Sequence, residues 1–332
     1  MYENRKQLFA QLEAVRNSKV ISFITSDRPG LETQIAADAV DLFVSHLDEI
    51  GVTPKITLFL YTRGGSTLAA WNIVNLLNQF CDELEIIVPS KCHSSGTLMS
   101  LGAKTIVMTK QATLGPIDPS VNTPLNPQIE GAPVGVRLPV SVEAIKGYFE
   151  LAKEEMGIRD EANLTELLLK LSQHVHPLVL GEVYRSRTQI QMLARKLIKG
   201  QLQDEEQIQK VINFLCSDSG SHDYTINRRE AKNELGLNVE KPSAELYALI
   251  HAIYTDIHNE LQISQPMDLN SVLGGNPIAA YSYKRGLVES LAGGSHYFSS
   301  EGVLFRLDQP GVPPQIIPIQ DQRNFEGWRH AR

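Results

Sequence analysis

The apolar positions of the first hundred residues switch repeatedly between two spacings. Residues 4–16 carry apolar side chains at helical intervals, and VISFI (20–24) follows as a continuous β-rich run. Over residues 34–50, Ile35, Ala36, Val40, Leu42, Phe43, Leu47 and Ile50 make a helical stripe. KITLFLY (55–61) then predicts a strand, and STLAAWNIVNLLNQF a helix opened by Ser66 as its N-cap. ELEIIVP (83–89) predicts another strand, SSGTLMSLGA another helix, and TIVM (105–108) a further strand. Strands alternating with helices imply crossover connections, hence a mainly parallel sheet covered by helices.

Beyond residue 110 the pattern changes. Residues 120–140, rich in Pro, Asn and Gly, are expected to form a surface loop, and 141–217 are helical throughout. This suggests a helical insertion mounted on an α/β core, giving a domain over 1–240. Residues 243–263 predict one more amphipathic helix, and HYFSSEGVLFRL in the remaining tail suggests a hairpin. The tail after 265 holds many Gly and Pro residues and is expected to be irregular, so 241–332 is set apart as a C-terminal helix with a tail.

Totals narrow the classes. The 332 residues are 42% hydrophobic and 21% charged, with a formal net charge of −7, as in ordinary soluble globular proteins. An acidic chain argues against a general nucleic-acid binder. No run approaches the ~20 apolar residues of a membrane helix, and the polar N-terminus lacks a signal peptide's apolar region, so a cytoplasmic location without membrane association is expected. Cys81, Cys92 and Cys216 are odd in number and widely spaced, which favours core thiols over a disulfide or zinc site. His174 and His176, two apart and followed by Pro177, point to structural roles rather than a metal centre. Arg185, Arg187, Arg195, Lys196 and Lys199 make one helix basic, read as an intersubunit or solvated face.

Two segments carry candidate chemistry. In LFLYTRGGS (58–66) a strand ends in Gly64–Gly65 and a helix follows, a turn whose exposed N–H groups could hold an oxyanion. In VPSKCHSSGTLMSLGAKTIVM (88–108) a strand runs into His93-Ser94-Ser95-Gly96 and then a helix dense in small residues. A serine at such a turn can project its hydroxyl as a nucleophile, with the following N–H, that of Ser95, aimed at the same oxyanion. Each segment has a plainer explanation: glycines for steric reasons, and a serine that caps a helix.

Taken together, YTRGGS, HSSGT with its helix, TLGPIDP, and SHDYTI…EA…LGLNV resemble the Clp-protease/crotonase superfamily, and within it the serine dehydrogenase proteinase (SDH) family of Clp-fold serine proteases. The resemblance spans roughly residues 5–240. It implies a spiral of crossover units with a helical head insertion, a homo-oligomer, and hydrolysis of a peptide or protein through an acyl-enzyme on Ser94, with Gly64, Gly65 and Ser95 forming the oxyanion hole. No cofactor or metal is called for. Clp proteases carry a histidine where this chain has Ile117, with Asp118 beside it, and an acid where it has His222-Asp223. The SDH family is described as having the order Ser–Asp–His, which implies Ser94 as nucleophile, Asp118 as orienting acid and His222 as base, with Asp223 positioning the loop. Alternatives remain open: a Ser–Lys dyad using Lys146, a crotonase-type acyl-CoA enzyme, or an inactive scaffold.

Overall fold

A computed structural model of the chain describes residues 1–117, 120–131, 133, 135–218, 221, 223–306 and 318–331. The order begins α1 (Tyr2–Arg16), β1 (Lys19–Thr25), α2 (Asp38–Ile50), β2 (Thr53–Tyr61), α3 (Thr67–Phe80), β3 (Cys81–Val88), β4 (Lys91–Cys92), α4 (Ser95–Leu101), β5 (Thr105–Met108) and β6 (Thr113–Leu114). It continues through β7 (Ser120–Val121), β8 (Val140–Ser141), α5 (Val142–Glu150), α6 (Glu161–His174), α7 (Pro177–Ile198) and α8 (Glu205–Asn213). It ends with β9 (Ile226–Asn227), α9 (Arg228–Asn233), β10 (Val239–Glu240), α10 (Ala244–Glu260), α11 (Leu269–Leu273), β11 (Ile278–Ser290), β12 (Gly294–Arg306) and β13 (Ile319–His330).

The chain divides into two units, one built from Met1–Leu114 and Ile226–Arg332, the other from Gly115–Thr225. In the first, the expected α/β succession is present. An eight-stranded sheet has the order β10-β5-β3-β2-β1-β11-β12-β13, and its first five strands run parallel. A second, small sheet, β4-β6-β9, takes the short strand that follows each of β3 and β5. Thr62, just past β2, bridges to Cys92 of β4 in the same manner. The repeating unit is thus a long strand, a short strand in the second layer, and a helix. On one face, Phe9 and Leu12 of α1 join Ile250, Ile253 and Ile257 of α10 over Phe59, Tyr61 and Ile87 of the sheet, all buried.

The sequence patterning and the structure part company in three places. The helix expected over 34–50 starts at Asp38, because Ile35 pairs in extended form with Gly65. The described part of the tail is not irregular, and HYFSSEGVLFRL, expected to form a hairpin, belongs through Arg306 to one strand, β12. β11, β12 and β13 form an antiparallel meander that extends the main sheet from β1, and Ile21–Thr25 pair with Gly286–Ser290. The 241–332 segment is therefore part of the first unit rather than an appendage to a domain ending at 240. Third, the 120–140 loop is tied across by β7 and β8 and by the buried Asn126, whose side-chain N–H groups donate to Val121 O and Leu138 O. The second unit otherwise holds the predicted helices, closed around Val121, Val140, Val142, Val175, Val179 and Val183. Ala132, Val134 and residues 307–317 lie outside the described residues.

Buried charge fixes α1 to the sheet. Arg5, fully buried, forms a two-pronged pair with Glu289 of β11 at 2.9 and 2.7 Å, and reaches Glu260 at 2.7 Å and Asp256, both on α10. Arg16 at the other end of α1 pairs with Glu85, which also accepts from Lys55 and Thr57 at 3.0 Å. Burial alone would raise the carboxyls of Glu85 and Glu260. The hydrogen bonds and charges of Arg16 and Lys55, and of Arg5 and Lys284, outweigh it and hold both below the usual value.

Two predictions follow from this wiring. Arg5→Ala strips three carboxylates of their buried partner and is expected to cost about 3–5 kcal/mol in urea unfolding. Glu85 and Glu260 bind protons less readily folded than unfolded. The stability they contribute is complete above the ordinary carboxylate value of about 4.3 and is lost as pH falls through their lower folded values. Urea midpoints measured from pH 7 downward should hold level, then drop below about pH 4.5, and drop less in Arg16→Gln.

Candidate active site

The site is built on two turns at the carboxyl ends of β2 and β3. Thr62 N–H donates to Lys91 O and His93 N–H to Thr62 O, both at 3.0 Å, which sets the two turns side by side. Asp27 braces the strand ends beneath them, accepting from Tyr61 Oη at 2.6 Å and pairing with Lys91 of β4. Burial would raise the Asp27 carboxyl, but these hydrogen bonds and the Lys91 charge hold it below the ordinary range.

Ser94 occupies the N-cap position of α4 with φ 52° and ψ −117°, a backbone conformation L-residues rarely adopt. Its side chain makes no capping hydrogen bond, unlike Ser66, whose hydroxyl accepts from Ala69 N–H at 3.2 Å as expected for a cap. Nor does Ser94 Oγ meet another hydrogen-bond partner among the described residues. The half-buried hydroxyl faces Gly64, where an added Cβ would stand 3.1 Å from Ser94 Oγ and 2.7 Å from Ser94 Cβ. This is the geometry of a presented nucleophile, a serine held in strain with its hydroxyl uncommitted.

The neighbouring turn is equally tight. A Cβ on Gly65 would lie 2.3 Å from Ile35 O, since Ile35 N–H donates to Gly64 O at 2.8 Å and Ser66 N–H to Ile35 O at 2.7 Å. Ser95 Oγ donates to Gly65 O at 2.7 Å and ties the start of α4 to the turn. Among the described residues, neither Gly65 N–H nor Ser95 N–H has an acceptor, so both are available to a developing oxyanion. Gly64 differs. Its N–H donates to Thr62 Oγ1 at 2.9 Å, so that group is already engaged and, unlike the other two, is not available to an oxyanion. Thr62, itself hydrogen-bonded to Thr25 at 2.6 Å, went unmarked in the sequence because one threonine at a strand end carries no pattern.

His93 bonds Thr113 at 2.8 Å across the small sheet and turns from the nucleophile as alternation requires. Cys92 is fully buried against Ser100, and burial pushes its thiol up to about 12, as befits a wall residue. Cys81 and Cys216 are buried. His176 caps α7, its Nδ1 accepting from Leu178 N–H at 3.2 Å, with Pro177 opening the helix. Among the described residues no group of three His, Cys, Asp or Glu side chains could hold a metal ion, and no helix is long and apolar enough to cross a membrane.

Asp118 and His222 lie outside the described residues, as does Pro119. Their flanks are ordered within the second unit. Ile117 is fully buried and its N–H donates to Leu215 O at 2.8 Å. Ser221 Oγ accepts from Asp223 N–H at 3.2 Å. Lys146, on α5 of the same unit, pairs with Glu150 at 3.2 Å and lines a groove of about 310 Å³ with Phe149, Tyr184 and Arg187.

Residues 1–132 match the model of a family described as ClpP-like SDH-type serine proteinase. Two uncharacterized proteins of Methanocaldococcus jannaschii are similar to the chain. One is 28% identical over 257 residues, covering 74% of this chain and 77% of its relative. The other is 26% identical over 196 residues, covering 58% and 56%. Solved structures similar to it include a mutant of a membrane-bound stomatin-specific protease in complex with a substrate peptide, at 16% identity and TM-score 0.38, covering 69% of this chain and 78% of that one. ClpP1 from Listeria monocytogenes is similar at 16% identity and TM-score 0.37, covering 72% and 99%.

The strain at Ser94 has a measurable consequence. Glycine relieves a positive φ, so Ser94→Gly is expected to raise stability by about 1 kcal/mol while abolishing any reaction that needs the hydroxyl. Ser94→Ala keeps the strain and should leave the thermal midpoint near that of the unaltered chain. A thermal melt of the three proteins distinguishes a strained elbow from a relaxed cap, for which glycine would bring no gain.

Proposed function

Because residues 1–132 match the model of the ClpP-like SDH-type serine proteinases, we propose that this chain is such a proteinase and cleaves peptide bonds through an acyl-enzyme on Ser94. The observation that carries the reading is the strained, uncapped Ser94 beside the two unengaged N–H groups of Gly65 and Ser95. In this mechanism Ser94 Oγ attacks the peptide carbonyl carbon and its proton passes to His222. The carbonyl oxygen takes up negative charge and accepts from Gly65 and Ser95 N–H. Collapse of the tetrahedral adduct breaks the C–N bond, and His222 returns the proton to the departing amine. Water, deprotonated by His222, then releases the acyl group and restores the serine.

Asp118 holds the His222 tautomer and stabilises its imidazolium, giving the chain order Ser–Asp–His. The order is immaterial to the chemistry, which depends on which atoms come within hydrogen-bond reach. The support is residue type and position in the sequence: the acid follows Ile117, whose N–H is anchored to Leu215 O, and the base lies between Ser221 and Asp223. Lys146, engaged with Glu150, already has a structural partner, which favours the histidine as base. An acyl-CoA enzyme of the crotonase type has no use for a serine strained into this turn, and a scaffold has no reason to keep it. We further propose a homo-oligomer. α6 has no buried residue, with Leu168 46% and Leu169 60% exposed, an apolar face that a second copy would cover.

Fluorophosphonate labelling of the full chain tests the reading, because the probe requires an activated serine but no knowledge of substrate. Labelling is expected on Ser94, lost in Ser94→Ala, reduced at least about a hundredfold in His222→Ala, reduced in Asp118→Ala, and kept in Lys146→Ala. Loss in Lys146→Ala with retention in His222→Ala would replace the triad by the dyad. An unlabelled but folded and assembled wild type would remove the activated serine altogether.

A further inference from the structure

Away from the two turns, the first unit carries a pocket whose lining is almost entirely cationic. Arg228, Arg229 and Lys232 of α9 surround it with Asn233, Val239 and Lys241, enclosing about 280 Å³. No acidic side chain lines it. Of the acids nearest in sequence, Glu230 is buried, Glu234 is exposed but does not line the pocket, and Glu240 pairs with Arg16 at 2.9 Å. Several other basic side chains of this unit, Arg5, Arg16, Lys55, Lys91, Lys284 and Arg329, are matched to carboxylates. Arg229, Lys232 and Lys241 form no ion pair among the described residues, and all three are exposed.

This arrangement opposes folding, which is what makes it informative. Arg228 and Lys232 stand four apart on one helix face, where like charges repel, and Arg229 and Lys241 add to the same field. α9 is held in place regardless. Arg228 donates to Met108 O at 3.2 Å, the Asn227 side chain caps the helix by accepting from Arg229 and Glu230 N–H, and Ala231 is buried. The cations are thus fixed around a concavity by contacts that do not neutralise them. In a chain of net charge −7, diffuse attraction to polyanions is not what such a cluster provides.

We propose that this pocket is a binding site for a compact multivalent anion carrying two or three phosphoryl groups. Arginine forks and flexible lysine ammoniums are the side chains that recognise phosphate oxygens. The volume lies just below the roughly 300–1,000 Å³ of sites for drug-sized ligands, which suits a short phosphate chain. With Val239 the one apolar residue in the lining, nothing there would hold a hydrophobic group. The pocket is not remote from the candidate site in connectivity. α9 follows directly on β9, which pairs with β6, and β6 pairs with β4 just ahead of Ser94. The site nonetheless stands independently of the proposed peptidase activity.

Titration calorimetry of tripolyphosphate into the full-length chain, at roughly 0.15 M ionic strength, is the test. Saturable binding at one site per chain is expected, weakened at least about tenfold in the Lys232→Gln/Lys241→Gln double variant. The Lys6→Gln/Lys19→Gln variant removes the same charge from another face of the unit and should bind as the wild type does. Circular dichroism of each variant separates loss of the site from loss of the fold. Absence of saturable binding, or equal weakening in the two double variants, would overturn the assignment. So would a single-stranded oligonucleotide that binds more tightly than tripolyphosphate at equal phosphate concentration, since that would make the pocket part of a nucleic-acid surface.

Discussion

Everything at the candidate site depends on how closely three stretches of backbone approach one another. The turn at Gly64–Gly65 lies between Ile35 on one side and Ser94 on the other, and Gly96 sits against Thr62 and Cys92. A Cβ at Gly64, Gly65 or Gly96 would come within 2.7 Å of a neighbour. That squeeze sets the Ser94 hydroxyl against Gly64, and the Gly65 and Ser95 N–H groups have no acceptor among the described residues. Ser95 Oγ and Thr62 Oγ1 then occupy the remaining local hydrogen bonds, so the turns cannot relax by consuming the donors themselves. The Ser94 strain, of the order of 1–3 kcal/mol, persists because these contacts over-determine the backbone.

Such a site needs a rigid support, and the buried ion pairs supply one without softening the core. A guanidinium as deeply buried as that of Arg5 is tolerable only with its charge and donors fully met, which Glu289, Glu260 and Asp256 accomplish together. Those three acids come from β11 and α10, more than 250 residues along the chain, so the network joins the first helix to the last strands. The meander also covers the edge that β1 would otherwise expose. Its outermost strand, IQDQRNFEGWRH, is charged enough to discourage pairing with another sheet.

How much of this was legible in the sequence follows the range of the interactions. Local periodicity located the parallel strands and their helices to within a few residues, and Ser66 capped its helix as its position implied. Ser94 and Gly65 were legible because a strand-to-helix turn leaves small residues in a row. The extended pairing of Ile35 was not, because its partner lies 30 residues on and its own neighbourhood reads as helix. β11 was missed for a related reason. In IAAYSYKRGLVES, polar and apolar residues alternate only in part, since the buried end faces Arg5 and β1 with glutamate and serine instead of hydrocarbon. The distinction between Gly64 and Gly65, one donor engaged and one not, rests on a single threonine hydroxyl that no sequence pattern announces.

The proposed chemistry is split along the chain in a way that constrains how it can work. Nucleophile and oxyanion donors belong to the first structural unit, whereas residues 118 and 222 fall within the segment of the second. The family match reaches Asp118 but stops ninety residues short of His222, so the base is the part of the machinery least tied to the shared segment. In the proposed mechanism, oxyanion stabilisation and nucleophile activation are therefore separable. The first is built rigidly into the turns, and the second depends on groups delivered by another part of the chain. A serine with donors but no base still gains some rate from preorganised hydrogen bonds, yet falls orders of magnitude short of a complete triad.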